Sequence, residues 1–134
     1  MKRLFLAIKV SPEEKTIQVY NSLLKSLSYN KIRWVDPDKF HLTIKFFGDT
    51  SEDSISVVNK VIIDAIEEFS SFDIELMNTG IFGSRYDPRV IWFGICKNEK
   101  LLCLSNSILN NLNDAGFSST RQNFVPHITI GRIT

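Results

Sequence analysis

The stretches FHLTIKFFGD, residues 40–49, and VPHITIGRI, residues 125–133, decide the interpretation of this sequence because they share one pattern. Each contains a histidine, an apolar residue, a threonine and a second apolar residue. The chain of 134 residues has two histidines, His41 and His127, and each opens one of these patterns. Since alternating polar and apolar residues are typical of half-buried strands, we expect two matching strands that each carry an imidazole.

Successive side chains of a strand project to opposite faces. His41 and Thr43 therefore share a face with Lys45, a candidate for attracting phosphate or an ordinary surface lysine. His127 and Thr129 likewise share a face. The intervening apolar residues back each strand and can pack on a helix. Each motif thus offers an imidazole and a hydroxyl side by side.

Two such strands facing one another are suited to displacement at phosphorus. One imidazole takes a proton from the nucleophile while the other gives a proton to the leaving oxygen. Imidazoles titrate ordinarily near pH ~6.5, so both protonation states are accessible at neutral pH. The hydroxyls can bind the non-bridging oxygens. The pattern predicts chemistry without a metal or cofactor; the alternative is two histidines with purely structural roles.

Composition indicates one ordinary globular domain over residues 1–134, with 43% hydrophobic and 23% charged residues. Lys plus Arg (16) nearly balance Asp plus Glu (15), so any polyanion must bind a local patch. The two lone cysteines, Cys96 and Cys103, are typical of a protein in the reducing cytoplasm. We expect both to be small core residues. MKRLFLAIKV is too short and too polar for a signal sequence, and no membrane span is expected. Two distant histidines and two cysteines do not form a zinc pattern.

The coarse order of predicted elements is β-α-β-β-α-β-β-α-β. Local signals predict their ends: Ser11, Pro12 and Glu14 begin the first helix, and Thr50 or Ser51 caps the second. Glycines end the strand after residue 47 and the third helix at Gly116. The predicted strands are 3–10, 32–35, 41–47, 72–82, 89–97 and 125–133.

The chain resembles the two-histidine phosphoesterase superfamily, and within it the RNA 2′,3′-cyclic phosphodiesterases, or 2′-5′ RNA ligase-like proteins. Four stretches carry the resemblance, in the order of that family: RLFLAIKV, RWVDPDKFHLTIKFFGD, VIWFGI and FVPHITIGR. The resemblance implies an α+β fold of two lobes. Two antiparallel sheets flanked by helices surround a central cleft, and each lobe supplies one His-x-Thr strand.

Carried over onto matching positions, the resemblance implies that His41 and His127 are catalytic and that Thr43 and Thr129 hold the phosphate. Arg132 matches an arginine that contacts substrate phosphate. Simple alternation places Arg132 on the face opposite His127, so the strand must bulge or end near Gly131 if Arg132 is to reach the site.

Weaker candidates surround these residues. Arg121 lies in a locally basic segment before the second motif and is a candidate RNA-backbone contact or a solvated loop residue. Arg33, Trp34 and Phe5 are candidates for a wall that stacks bases, although core packing is the better interpretation for Phe5.

Members of the family usually continue beyond the second motif, whereas this chain ends at Thr134. We therefore expect a C-terminally short version, in which either other strands replace the missing ones or a sheet edge is left exposed. An open edge pairs readily with another chain. The expected state is a monomer with a mobile last strand or an edge-paired dimer.

The sequence predicts a cytoplasmic, metal-independent RNA 2′,3′-cyclic 3′-phosphodiesterase acting on RNA ends such as those of tRNA fragments. It opens the terminal cyclic phosphate to a 2′-phosphate, and 2′-5′ ligation is the same chemistry in reverse. One alternative is hydrolysis of another small cyclic phosphodiester. The other is an RNA-end-binding module of the same fold with weak or lost turnover.

Overall fold

The computed structural model describes residues 1–28, 31–84, 87–117 and 126–134. The elements follow the predicted order and establish the α+β class: β1 (Lys2–Lys9), α1 (Glu14–Ser26), β2 (Ile32–Trp34), β3 (His41–Thr50), α2 (Glu52–Ile66), β4 (Leu76–Ser84), β5 (Asp87–Ile95), α3 (Glu99–Asp114) and β6 (His127–Ile133). A 3₁₀ turn, Pro37–Lys39, joins β2 to β3. None of the helices within the described residues is long and apolar enough to cross a membrane.

The described strands are hydrogen-bonded along one path, β1-β3-β6-β5-β4, and β2 also pairs with β6. The pairings of β6 with β2, β3 and β5, and of β4 with β5, are antiparallel. The resemblance implied two separate sheets, and the structure differs in this respect. The difference arises because β3 is a long strand whose first residues pair with β6.

The position of β6 contradicts the alternative in which the last strand lies at an exposed sheet edge. β6 pairs with β5 on one side and with β2 and the start of β3 on the other. Its backbone groups are therefore engaged by strands from earlier in the chain. The exposed-edge alternative for β6 was therefore wrong, whereas the oligomeric state and the mobility of the last strand stay predictions.

The chain divides into two compact units. The first comprises Met1–Ala7, Thr43–Ile74 and Lys97–Val125. Within it, α2 packs on α3, and the Ser107 hydroxyl donates to the Ala65 carbonyl at 3.4 Å. The buried positions of α3 recur at helical spacing, as expected for a helix with one face in a core: Leu101, Ser105, Ile108 and Leu112.

The second unit comprises Ile8–Leu42, Glu75–Cys96 and Pro126–Thr134. Its core combines residues from α1, β5, β6 and the segment before β3, namely Tyr20, Phe40, Ile91, Phe93, Ile128 and Ile130. The Tyr20 hydroxyl donates to the Val35 carbonyl at 2.7 Å. Burial, and to a smaller extent the charge of Asp36, raises the pKa of Tyr20. Helix α1 is thereby tied to the segment that leads into β3.

The first motif is divided between the two units, whereas the second motif lies within the second unit. His41 and all of β6 belong to the second unit, whereas Thr43 is the first β3 residue of the first unit. The boundary falls inside the first motif because the opening residues of β3 pair with β6. The imidazoles therefore belong to one compact unit.

Several element ends differ from the predicted ones. Strand β3 continues through Gly48, which adopts a φ of 73°, to Thr50. Glycine tolerates this left-handed conformation, so the strand bends there without ending. The β4 and β5 boundaries are also displaced from the predicted 72–82 and 89–97. Cys103 is exposed, which contradicts its predicted place in the core.

The predicted N-cap is correct for α2 and wrong for α1. Helix α1 begins at Glu14 after an N-cap at Glu13 that makes no side-chain cap hydrogen bond, so the predicted Ser11 cap was wrong. Ser51 caps α2, and its hydroxyl accepts from the Ser54 backbone N–H at 3.3 Å. Gly116, with a φ of 97°, directly follows the C-cap of α3, in agreement with the prediction.

We expect Ser51→Ala to lower the free energy of unfolding by about 1 kcal/mol, because the Ser54 N–H at the start of α2 loses its cap. Ser11→Ala is the matched control and should change stability by less than about 0.5 kcal/mol, since the exposed Ser11 lies outside α1. Urea unfolding followed by circular dichroism measures both. Equal losses in the two variants would contradict the assigned caps.

Candidate active site

The relative position of the two motifs is set by one antiparallel pairing in the second unit, Leu42 with Ile128. These two side chains are 1% and 0% exposed. Because side chains alternate, the residues on either side of them project to the opposite face of the sheet. That face therefore carries His41 from β3 and His127 and Thr129 from β6, all of them half-buried.

The same pairing places His41 directly across from Thr129, one residue from the Leu42–Ile128 pair. His127 is then the diagonal neighbour of His41, at the roughly 7–8 Å typical of such positions. Two imidazoles at this spacing, with a threonine hydroxyl beside them, are able to flank one small tetrahedral group. The structure thus brings the predicted pair together through backbone register.

The 3₁₀ turn before β3 orients the first imidazole. His41 Nδ1 lies 2.9 Å from the Lys39 carbonyl oxygen. A carbonyl only accepts, so Nδ1 carries the proton and donates it to Lys39. The turn itself is capped by Asp36, whose carboxylate accepts from the Asp38 N–H at 2.9 Å. In the neutral ring the lone pair is consequently on Nε2, which is the nitrogen able to exchange a proton.

The second imidazole contacts an aromatic side chain. The His127 ring lies perpendicular to Phe82 of β4, with ring centroids 4.8 Å apart. On β5, the residue opposite His127 is Gly94, which has no side chain to occupy that position. Sequence reasoning missed Phe82 because the pairing of β4 with β5 and of β5 with β6 is non-local.

A β-bulge in β6 accounts for the placement of Arg132. Thr129 pairs with Trp92 and Gly131 pairs with Ile91, so Ile130 is an extra residue in β6. Beyond the bulge, Arg132 pairs with Val90, and Val90 shares the Trp92 face by alternation. Arg132 therefore lies on the same face as His127 and Thr129. The condition set by the sequence, a bulge near Gly131, is met.

Gly131 lies at the bulge where two side chains approach the backbone closely. A Cβ at this position would lie 3.1 Å from both Ile32 Cγ2 and Trp34 Cε3. Two consecutive β6 residues, Ile130 and Gly131, are buried there. After this point in β6, the alternation of buried and exposed side chains is shifted by one residue.

Arg33 of β2 pairs directly with Arg132 of β6, and both side chains are exposed. Like charges directly opposite each other repel. Within the described part of the chain, neither guanidinium forms an ion pair. This pair supplies a local positive charge suited to an anion, although the chain as a whole is nearly neutral.

The other residues considered for a base-stacking wall lie elsewhere. Trp34 packs edge-on against Tyr20 in the core of the second unit, with ring centroids 5.8 Å apart. Phe5 lies beside Phe46 in the first unit, with centroids 5.9 Å apart. The structure assigns Trp34 to the core and groups Phe5 with Phe46.

Thr43 and Lys45 follow His41 along β3 and share its side of the strand, and both belong to the first unit. Lys45 Nζ lies 5.5 Å from the centre of the Phe47 ring. Burial lowers the pKa of Lys45 from its ordinary value. Arg121, and Val125 at the predicted start of the last strand, lie outside the described residues.

We expect Arg132→Lys to lower kcat/KM for a phosphodiester substrate by about 10-fold, because lysine cannot present the planar two-donor fork of a guanidinium to phosphate. Arg89→Lys is the matched control, since the Arg89 guanidinium binds Asp87 through Nε and Nη2 at 3.1 and 2.8 Å. Steady-state kinetics of both variants test the assignment. An unchanged kcat/KM in Arg132→Lys would show that Arg132 does not contact the substrate phosphate.

The sequence of this chain matches that of a known protein family. Residues 8–92 match the sequence model of the LigT like Phosphoesterase family, which is more than half of the chain. The chain belongs to the LigT-like phosphoesterase family. The predicted family is therefore confirmed.

Two relatives and one solved structure show the extent of the similarity. An RNA 2′,3′-cyclic phosphodiesterase of Thermotoga maritima is 34% identical over 133 residues, covering 98% of this chain and 70% of the relative. A protein of the same name from Methanothermobacter thermautotrophicus is 31% identical over 103 residues, covering 77% and 55%. The crystal structure of TT0787 of Thermus thermophilus superposes with a TM-score of 0.80 at 22% identity, covering 98% and 74%.

This LigT-like phosphoesterase thus spans 70% and 55% of the lengths of those two relatives. Their names describe enzymes longer than this chain. In this chain, one face of the second unit carries His41, His127, Thr129 and Arg132.

Proposed function

We propose that this phosphoesterase is an RNA 2′,3′-cyclic phosphodiesterase that opens the cyclic phosphate at an RNA end to a 2′-phosphate. The observation that carries the proposal is the Leu42–Ile128 pairing, which places both imidazoles and Thr129 on one face of the second unit. The names of the curated relatives support the same substrate. We further propose one domain over residues 1–134 and, from the lone cysteines, a cytoplasmic location.

In the proposed mechanism His127 takes a proton from water as the water oxygen attacks phosphorus. The bond from phosphorus to O3′ breaks, and His41 gives its Nε2 proton to O3′. The product keeps the bond to O2′ and carries a free 3′-hydroxyl. The hydrogen bond from Nδ1 to Lys39 is present in both protonation states of His41, so its proton is exchanged at Nε2. Exchange with solvent restores the starting protonation of both rings.

The remaining side chains bind the phosphate. Thr129, directly across from His41, donates its hydroxyl proton to a non-bridging oxygen, and Thr43 has the same role on the other motif. Arg132 offsets the negative charge that the phosphate carries in the transition state. Lys45 and Arg121 are assigned as peripheral substrate contacts. These groups all come from the protein.

The test uses an oligoribonucleotide with a terminal 2′,3′-cyclic phosphate in buffer containing EDTA. We expect conversion to the 2′-phosphate, identified by its resistance to an enzyme that removes only 3′-phosphates. A mobility shift without conversion would favour an RNA-end-binding module. Conversion of small cyclic phosphodiesters alone would identify a different substrate. An oligonucleotide with a 5′-hydroxyl added to the same reaction reports 2′-5′ ligation.

We expect kcat/KM to show a bell-shaped dependence on pH, because one imidazole must be neutral and the other protonated at the start of each turnover. A pH series on the cyclic-phosphate oligonucleotide measures it. In His127→Ala the alkaline limb of the remaining activity should persist while the acid limb disappears, since the proposed base is gone. A profile in wild type with a single limb would contradict paired acid and base catalysis.

A further inference from the structure

We propose that Phe82 and Trp92 form a platform on which the nucleobase of the terminal nucleotide stacks, next to His127. This inference rests on the proposed function, since it names the part of that site that binds the base. The platform lies on β4 and β5, across β6 from His41.

Two glycines provide the space for the indole of Trp92. A Cβ at Gly80 would collide with Trp92 Cζ2, and a Cβ at Gly94 would lie 3.2 Å from Trp92 Cζ3. The indole therefore lies across backbone positions that bear no side chains. Gly80 pairs with Trp92, and Gly94 pairs with His127, so this flat surface is continuous with the proposed site.

Phe82 covers the indole. The two rings are tilted by 32° with centroids 5.1 Å apart, and Phe82 then meets the His127 ring at 90°. Phe82 nevertheless remains 37% exposed. A phenyl ring that contacts the indole and the imidazole and is still 37% exposed presents an apolar aromatic surface beside His127.

The chemistry of the substrate places its base near this surface. The ribose that carries the cyclic phosphate also carries the base, attached to the carbon next to C2′. A phosphate held at His41 and His127 therefore brings the base within one side-chain length of the site. The β2 side of the site carries the Arg33–Arg132 pair, so the aromatic surface is the apolar alternative for the base.

Stacking on an aromatic ring is tolerant of base identity, because every base offers a π face. The platform consequently predicts affinity for the terminal nucleotide without strong discrimination among the four bases. This would suit an enzyme that acts on RNA ends of different sequence.

The test is a binding measurement on the folded chain, with a nucleoside 2′-monophosphate and 1-O-methylribose 2-phosphate as probes. Wild type should bind the nucleotide at least about 10-fold more tightly than the sugar phosphate. Phe82→Leu, which keeps an apolar side chain and removes the π face, should reduce this ratio several-fold. Phe82→Trp should retain it. Phe46→Ala, at a 70% exposed phenylalanine on the opposite side of β3 from His41, should leave the ratio unchanged.

A ratio near one in wild type, or the same ratio in wild type and Phe82→Leu, would overturn the platform. A fall in affinity for both probes by the same factor in Phe82→Leu would also overturn it, because Phe82 would then serve only to hold His127. These outcomes are independent of turnover. Loss of the proposed function would instead appear as intact nucleotide binding without conversion of the cyclic phosphate.

Discussion

Replacing either His41 or His127 with alanine is expected to lower kcat on a cyclic-phosphate oligonucleotide by at least ~100-fold, with the fold retained. General acid or base catalysis contributes about 10²–10⁴-fold per group, and each variant removes one such group. Both side chains are only half-buried and lie outside the core of the second unit. Single-turnover kinetics with excess enzyme measure the chemical step directly.

The double variant distinguishes a working pair from two independent contributors. If one imidazole is ineffective without the other, the double variant should lose little more than the single ones. Lys97→Ala, which removes a surface ion pair with Glu99, is the control for truncation and should keep wild-type activity. Near-wild-type kcat in either histidine variant, with an unchanged circular dichroism spectrum, would refute the two-histidine mechanism.

Phe40→Ala is expected to cost about 3–5 kcal/mol of the free energy of unfolding, the usual range for truncating a buried aromatic residue. Phe40 is 0% exposed and directly precedes His41. Its ring contacts Tyr20 and Phe93 edge-on, with centroids 5.4 and 6.3 Å apart. Its carbonyl also accepts from the Val10 N–H at 3.0 Å. The cavity would therefore lie directly behind the start of β3.

Urea unfolding checks this expectation, and Phe46→Ala provides a matched comparison because Phe46 is 70% exposed. Phe46→Ala should change stability by less than about 0.5 kcal/mol. Because His41 is positioned by the turn and strand that Phe40 anchors, activity in Phe40→Ala should fall even at urea concentrations where the protein remains folded. Comparable stability losses in the two phenylalanine variants would show that Phe40 is not a core residue.

Local patterns in the sequence predicted much of the fold because they depend on a few neighbouring residues. Alternation around His41 and His127 correctly separated the buried Leu42 and Ile128 from the polar face. The Ser51 cap was predicted for the same reason. The predicted cap at Ser11 was wrong because the local pattern did not fix the first residue of the helix. Helix α1 begins three residues later, at Glu14.

Features that depend on strand neighbours were not available from the sequence. An exposed edge was one alternative for strand β6, yet its partners come from earlier segments of the chain. The contact of Phe82 with His127 requires the registers of both β4–β5 and β5–β6. The interpretation of Trp34 as a stacking residue failed because the same periodicity fits the core side of β2.

The extra residue at Ile130 changes the sequence spacing of the residues that share the face of His127. In a straight strand, three side chains on one face would be written H-x-T-x-R. The bulge lengthens the second interval, so the face is written H-x-T-x-x-R, as in residues 127–132. The two positions between Thr129 and Arg132 both face the interior, and the second lies where Ile32 and Trp34 approach closely. An arginine moved one position earlier would point into the core.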